Sequence, residues 1–122
     1  MVLTPETIQR RKVPREEVLV EDLGGNVIVR GLLLTERLRH DNLNEQGKVP
    51  RDGETEQEAR ARAGAAVLPR TLHCCVIDAE GNPLLTAIEW DEFGGMNGTE
   101  AFRLFNIAMR LSGQRVEDVE KN

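Results

Sequence analysis

Aromatic residues are nearly missing from this chain: it has no tyrosine, one tryptophan (Trp90) and three phenylalanines (Phe93, Phe102, Phe105). Aliphatic side chains and alanine must therefore fill the core, which will be modest for 122 residues. Long apolar runs are missing too. None approaches the ~20 residues that a membrane helix needs, so no membrane span is expected. The first residues, Met1-Val2-Leu3-Thr4-Pro5, lack the basic stretch and apolar centre of a secretory signal, which predicts a protein that stays in the cytoplasm. The two cysteines, Cys74 and Cys75, are adjacent, a poor geometry for an internal disulfide, so reduced thiols are expected.

A basic excess is also lacking. Residues 78–122 hold nine acids and four bases, and residues 1–77 hold twelve of each, so the whole net charge of −5 lies in the last third. The densest basic cluster, Arg10-Arg11-Lys12 with Arg15, runs straight into Glu16-Glu17. No basic stripe is left to track phosphates, and nucleic acid is not expected as a partner.

What is present predicts a single domain over residues 1–122, of α+β class and predominantly helical, with a short N-terminal β-hairpin. Residues 1–16 read as an N-terminal arm, in which Thr4-Pro5-Glu6 can start a turn or two of helix before Pro14 stops it. Val18-Leu19-Val20 and Val27-Ile28-Val29 are β-branched runs around Gly24-Gly25-Asn26, which predicts the hairpin with its turn at those three residues. Thr35 can cap a helix to about Glu45, and a polar loop containing Gly47, Pro50, Asp52 and Gly53 follows as a candidate mobile segment.

Thr55-Glu56-Gln57-Glu58 fits a capping box, and the alanine-rich stretch after it predicts a helix to about Leu68. Pro69 should kink or end that helix. Leu72–Ile77 then reads either as resumed helix, the preferred alternative, or as the first strand of a hairpin around residues 78–83 with Leu84–Ile88 as the second. Trp90–Phe93 predicts a helical turn closed by Gly94-Gly95. Thr99 is expected to cap a last helix whose apolar residues include Phe102, Phe105, Ile107, Ala108, Met109 and Leu111, ended by Ser112-Gly113. Val116–Asn122 reads as a short acidic tail helix.

Reactive constellations are scarce. His73-Cys74-Cys75 is the one cluster of nucleophile or ligand types, but consecutive side chains diverge by about 100° on a helix or point to opposite faces of a strand. Only His40 remains to complete a four-ligand metal site, and only Arg70 and His73 lie nearby in sequence to activate a thiolate. No catalytic, metal or cofactor site is expected, and the chain does not read as an enzyme. Paired acids such as Asp91-Glu92 and Glu117-Asp118 read as solvated surface. Gly24-Gly25 and Gly94-Gly95 lack the spacing of phosphate loops and read as turns. The stretch Ile107–Val116 has some outline of a helix-turn-helix, but Glu117, Asp118 and Glu120 would meet phosphates and be repelled.

Nearly all the aromatics fall in one window with the last helix. Trp90, Phe93, Phe102, Phe105 and Met109 are either the core of an aromatic-poor chain or, in part, a surface that is covered on self-association or partner binding, where aromatics and Met are enriched.

The order of the segments Val18–Leu32, Val76–Leu84 and Leu111-Ser112-Gly113, followed by Glu120-Lys121-Asn122, resembles the tail assembly chaperones of long-tailed bacterial viruses. The resemblance covers most of the chain from Val18 onward. It implies a mostly helical α+β fold, ring-like or spiral homo-multimers, and binding to the tape-measure protein and the major tail protein during tail morphogenesis. It further implies action in the cytoplasm of the infected bacterial host, absence from the mature virion, no cofactor, and a second, longer product made by ribosomal frameshifting. Codons for Glu120-Lys121-Asn122 allow the run of A bases on which ribosomes slip. The alternative weighed against this is a structural head or tail connector that stays in the particle.

Overall fold

The computed structural model describes residues 1–9 and 12–113. Among them the chain forms β1 (Arg15–Val20), β2 (Gly25–Arg30), α1 (Leu34–Gly47), α2 (Glu56–Cys75), β3 (Val76–Ile77), α3 (Ala87–Met96) and α4 (Gly98–Leu111), with one 3-10 turn at Glu21–Leu23. The fold is the expected mostly helical α+β arrangement with an N-terminal hairpin. The expected tail helix Val116–Asn122 lies outside the described residues, as do Arg10 and Arg11 of the basic cluster. No helix among the described residues is long and apolar enough to cross a membrane.

The strands are antiparallel in the order β1-β2-β3. Val18 faces Val27 and Val20 faces Gly25 in the ladder, so alternation puts Val18, Val20, Val27 and Val29 on one buried face. Exposed Glu17, Leu19 and Asn26 belong to the opposite face. The turn is earlier than expected. The 3-10 turn and Gly24, at φ 87°, make the link, while Gly25 and Asn26 already pair with β1. Positive φ is needed at one position, and Gly24 supplies it. Arg15 and Glu16, expected in the arm, are strand residues, and among the described residues before them there is a turn in which the Ile8 amide donates to the Thr4 carbonyl at 3.0 Å.

Helix α2 continues through Pro69, so of the two expected effects, a kink or an end, the end does not occur. The proline neither ends the helix nor stops it short, because Leu72 and Cys75, both fully buried, anchor the turn beyond it against the sheet. Proline removes the partner of the Ala65 carbonyl, and Ala65 is an exposed residue of the helix. Tertiary burial outweighs the local penalty. The start of α2 is where expected but has half of the expected box: the Glu58 amide donates to Thr55 Oγ1 at 3.1 Å, while the Glu58 carboxylate accepts from the Thr55 hydroxyl and not from its amide. Its end resolves the Leu72–Ile77 alternatives, with helix to Cys75 and then strand, Val76 pairing with Val29 and Ile77 with Ile28. Chain reversal after β3 brings the Leu84 amide to the Val76 carbonyl at 3.1 Å.

Two other helix starts lie elsewhere than expected. Helix α1 starts at Leu34, not under a Thr35 cap: Glu36 reaches back to accept from the Leu33 amide at 2.8 Å. Helix α4 starts at Gly98 after Asn97, and Thr99 caps nothing. Helix α3 is longer than the expected turn. Thr86 and Glu89 form a reciprocal capping box, each amide donating to the other side chain at 3.1 Å, and the helix runs through Gly94-Gly95 to Met96. The polar loop before α2 is tied down by Arg62, which holds Glu54 at 2.8 Å and reaches the Val49 carbonyl.

The core lies between the valine face of the sheet and the helices: Leu72 and Cys75 from α2, Trp90 and Phe93 from α3, Ala101, Leu104 and Ala108 from α4. The C-terminal end of α4 is fixed to the end of β2. The Leu32 amide donates to Ser112 Oγ at 2.8 Å, and a Cβ at Gly31 would stand 2.2 Å from the Leu111 carbonyl oxygen, so only glycine permits this approach.

Candidate functional site

The candidate surface is the outer face of α4, and it follows from how that helix is seated. Ala101, Leu104 and Ala108 recur at helical spacing and are buried, with alanines letting the helix sit close to the sheet and α3. The opposite side then carries Thr99, Phe102, Arg103, Asn106 and Arg110. Phe102 is 61% exposed. With Ile107 these residues line a shallow groove of about 670 Å³.

Two arginines fix α4 along the edge strand. Arg103 Nη2 donates to the Leu19 carbonyl at 2.8 Å and to Glu100 at 2.6 Å, and Arg110 pairs with Glu16. Seven residues along a helix and three along a strand both span about 10 Å, so α4 runs antiparallel to β1 with the two contacts in step. Arg103 also occupies a carbonyl at the free edge of the sheet, where it would otherwise invite another strand.

The expected aromatic window is divided by the fold. Trp90 is fully buried, with Phe93 edge-on to it at 5.4 Å between ring centroids. Met109 is buried as well. Phe105 is half-buried against the core, and it meets Phe102 edge-on at 6.4 Å. Of the five residues singled out from the sequence, Phe102 and part of Phe105 are on the surface, and Trp90, Phe93 and Met109 belong to the core. Arg103, Asn106 and Arg110 complete the surface. Their signal was the 3.6-residue period itself, which places them on the face away from Ala101, Leu104 and Ala108.

A second cluster joins β2, α1 and α2. Arg30 grips Glu36 with both nitrogens, at 2.8 and 2.7 Å, and its Nη2 lies 3.3 Å from Cys74 Sγ, which in turn lies 3.4 Å from Glu36 Oε2. The hydrogen bonds from Arg30 hold the Glu36 carboxyl down at about 2, and Glu36 in turn raises the Arg30 guanidinium. Cys74 is lowered, first by its contact with Cys75 and then by the Arg30 charge, while the same contact and burial push the Cys75 thiol up. His73 points away, its Nδ1 donating to the Leu85 carbonyl at 2.9 Å. His73 thus diverges from the two cysteines, which touch each other. No group of three or more His, Cys, Asp and Glu residues among the described residues is placed to hold a metal ion.

No family model, curated protein or solved structure matches this chain. Its own geometry is therefore the ground for function, and among the described residues that geometry offers an open, aromatic-bearing helix face. Within the Arg30–Glu36–Cys74 cluster a bidentate ion pair ties the start of α1 to the sheet.

Proposed function

We propose that this protein is a tail assembly chaperone of a long-tailed bacterial virus, which multimerises and binds the tape-measure protein and the major tail protein in the host cytoplasm during tail morphogenesis and is absent from the finished virion. It acts by binding, with no reaction and no cofactor assigned to it. The observation that carries the reading is Phe102. In a chain with four aromatic residues in all, one stands 61% exposed in a groove beside Ile107 and two arginines. Aromatic and arginine side chains on a surface are what protein interfaces enrich. The segment order that resembles the chaperone family supports the same reading, and many weak contacts along a long partner would give avidity without one tight site.

Two measurements test it. Light scattering over a dilution series should show concentration-dependent multimers, lost in Phe102→Asp, a variant that keeps the fold because the side chain is already exposed. The wild-type protein should also retain a tape-measure partner in a pull-down and be missing from purified particles. A strict monomer that ignores the tape-measure protein overturns the reading, and presence in the particle replaces it with the connector.

A further inference from the structure

Helix α1 is turned the wrong way round for a helix on a globular domain. Its partly buried side carries Glu36, Arg37, His40, Asn44 and Gly47, spaced at i, i+1, i+4, i+8 and i+11, and not one of its residues is fully buried. Leu34 and Leu38 point outward, 71% and 58% exposed. Farther along the same outward side lie Asp41, Asn42 and Glu45, all exposed. An apolar-then-acidic stripe in water, on a helix that hides its polar side, calls for a covering surface.

We infer that the outward stripe of α1 docks on the outer face of α4 of a second copy of this chain, so that the multimer is built head to tail. Charge selects the occupant. The α1 stripe ends in Asp41, unpaired among the described residues, and Glu45, which holds Lys48 at 2.7 Å. The α4 face instead carries Arg103 and Arg110 around Phe102 and Ile107, each arginine bound to one carboxylate of its own copy, Glu100 and Glu16, with N–H groups to spare. Pairing α1 with α1 would leave Asp41 without a base, and pairing α4 with α4 would leave the spare N–H groups of Arg103 and Arg110 without an acid. Only the cross pairing sets leucine on phenylalanine and acid on arginine.

The arginines have capacity left for this. A guanidinium has five N–H donors. Among the described residues, Arg110 uses only Nη2, toward Glu16, and Nη1 of Arg103 has no acceptor. Asp41 has no partner among the described residues, and the two helices match in length at 14 residues each. A contact between unlike faces leaves each copy with one free donor stripe and one free acceptor groove, so it propagates into a ring or a spiral instead of stopping at a dimer.

This inference rests on the self-association in the proposed function and specifies its geometry, and the test separates the two. Leu38→Asp and Phe102→Asp each replace an exposed side chain, and an unchanged thermal melt and circular dichroism spectrum will show that both variants fold. Each alone should run as a monomer of 13.7 kDa in light scattering. Mixed in equal amounts they should form a species of twice that mass and nothing larger, because the intact α1 of one meets the intact α4 of the other. Asp41→Arg should weaken the wild-type assembly at least tenfold. If Leu38→Asp multimerises like wild type while Phe102→Asp does not, the head-to-tail contact is wrong and self-association through α4 stands. If the mixture stays monomeric, the head-to-tail contact is wrong and only the self-association of the wild type stands. A wild-type monomer at every concentration removes both.

Discussion

Helices α1 and α4 have the same length and opposite construction. In α4 the residues toward the domain are Ala101, Leu104 and Ala108, and the polar ones face out. In α1 the residues toward the domain are Glu36, Arg37, His40 and Asn44, and the leucines face out. The attachment of α4 is hydrophobic, scales with buried area and responds little to pH. That of α1 is directional: the Arg30–Glu36 pair, the Arg37 donation to the Ser112 carbonyl at 3.2 Å, and close packing of Gly47 on Ala63. It also has a flaw, since the buried Asn44 Oδ1 has no donor among the described residues. One helix is part of the core, and the other is held on it. The difference predicts that α1 opens at lower free energy than the rest of the domain.

The largest effect should come from truncating the two helices alike. Leu104→Ala removes a fully buried side chain and should cost about 2–5 kcal/mol, whereas Leu38→Ala in the monomer should change stability by less than about 0.5 kcal/mol. Urea unfolding of both variants, at concentrations low enough to keep the protein monomeric, measures the contrast. Similar losses at the two positions would mean that α1 has a buried apolar face after all.

A smaller effect is expected at the tether. Arg30→Met leaves Glu36 without its bidentate partner and should cost about 1–3 kcal/mol, the range for a hydrogen-bonded charged group. The useful readout is where the loss falls. Amide exchange should speed up through α1, while β2 and α4 keep their protection. Uniform acceleration would instead make the pair part of the global core.

The contrast between the helices also explains what was legible beforehand. The hairpin valines, the Thr55 cap and the apolar face of the last helix followed from period and propensity because burial there agrees with local preference. Pro69 did not, because its effect depends on Leu72 and Cys75 finding a core beyond it. Gly94-Gly95 reads as a turn by composition, yet the Thr86–Glu89 box and the burial of Trp90 and Phe93 carry the helix through it. The division of the aromatics into core and surface needed the seating of α4, which residue types alone do not determine. The Arg30–Glu36–Cys74 cluster brings together residues up to 44 positions apart, and no local spacing encodes that.

The smallest effect, and the finest test of the contrast, is the pH dependence of α1. Glu36 is held at about 2 by Arg30, below the usual carboxylate value of 4.5. Its folded pKa is depressed, so its contribution is complete above about 4.5 and is lost as the pH falls toward 2. His40 is lowered from 6.5 by burial and then by the Arg70 charge, against opposing pulls from Glu36 and Asp41. Here too the folded value is the depressed one: docking of α1 is favoured above 6.5, where the ring is neutral, and weakens as the pH falls below it and the ring must take a charge beside Arg70. The protection of the α1 amides, taken relative to their intrinsic exchange rates, should therefore fall in two steps as the pH is lowered, one beginning below 6.5 and one below 4.5. His40→Gln should remove the upper step and Glu36→Gln the lower. In α4, whose seat is Ala101, Leu104 and Ala108, neither substitution should alter the profile over the upper window. If α4 follows α1 there, the two helices open as one unit and their opposite construction has no energetic consequence.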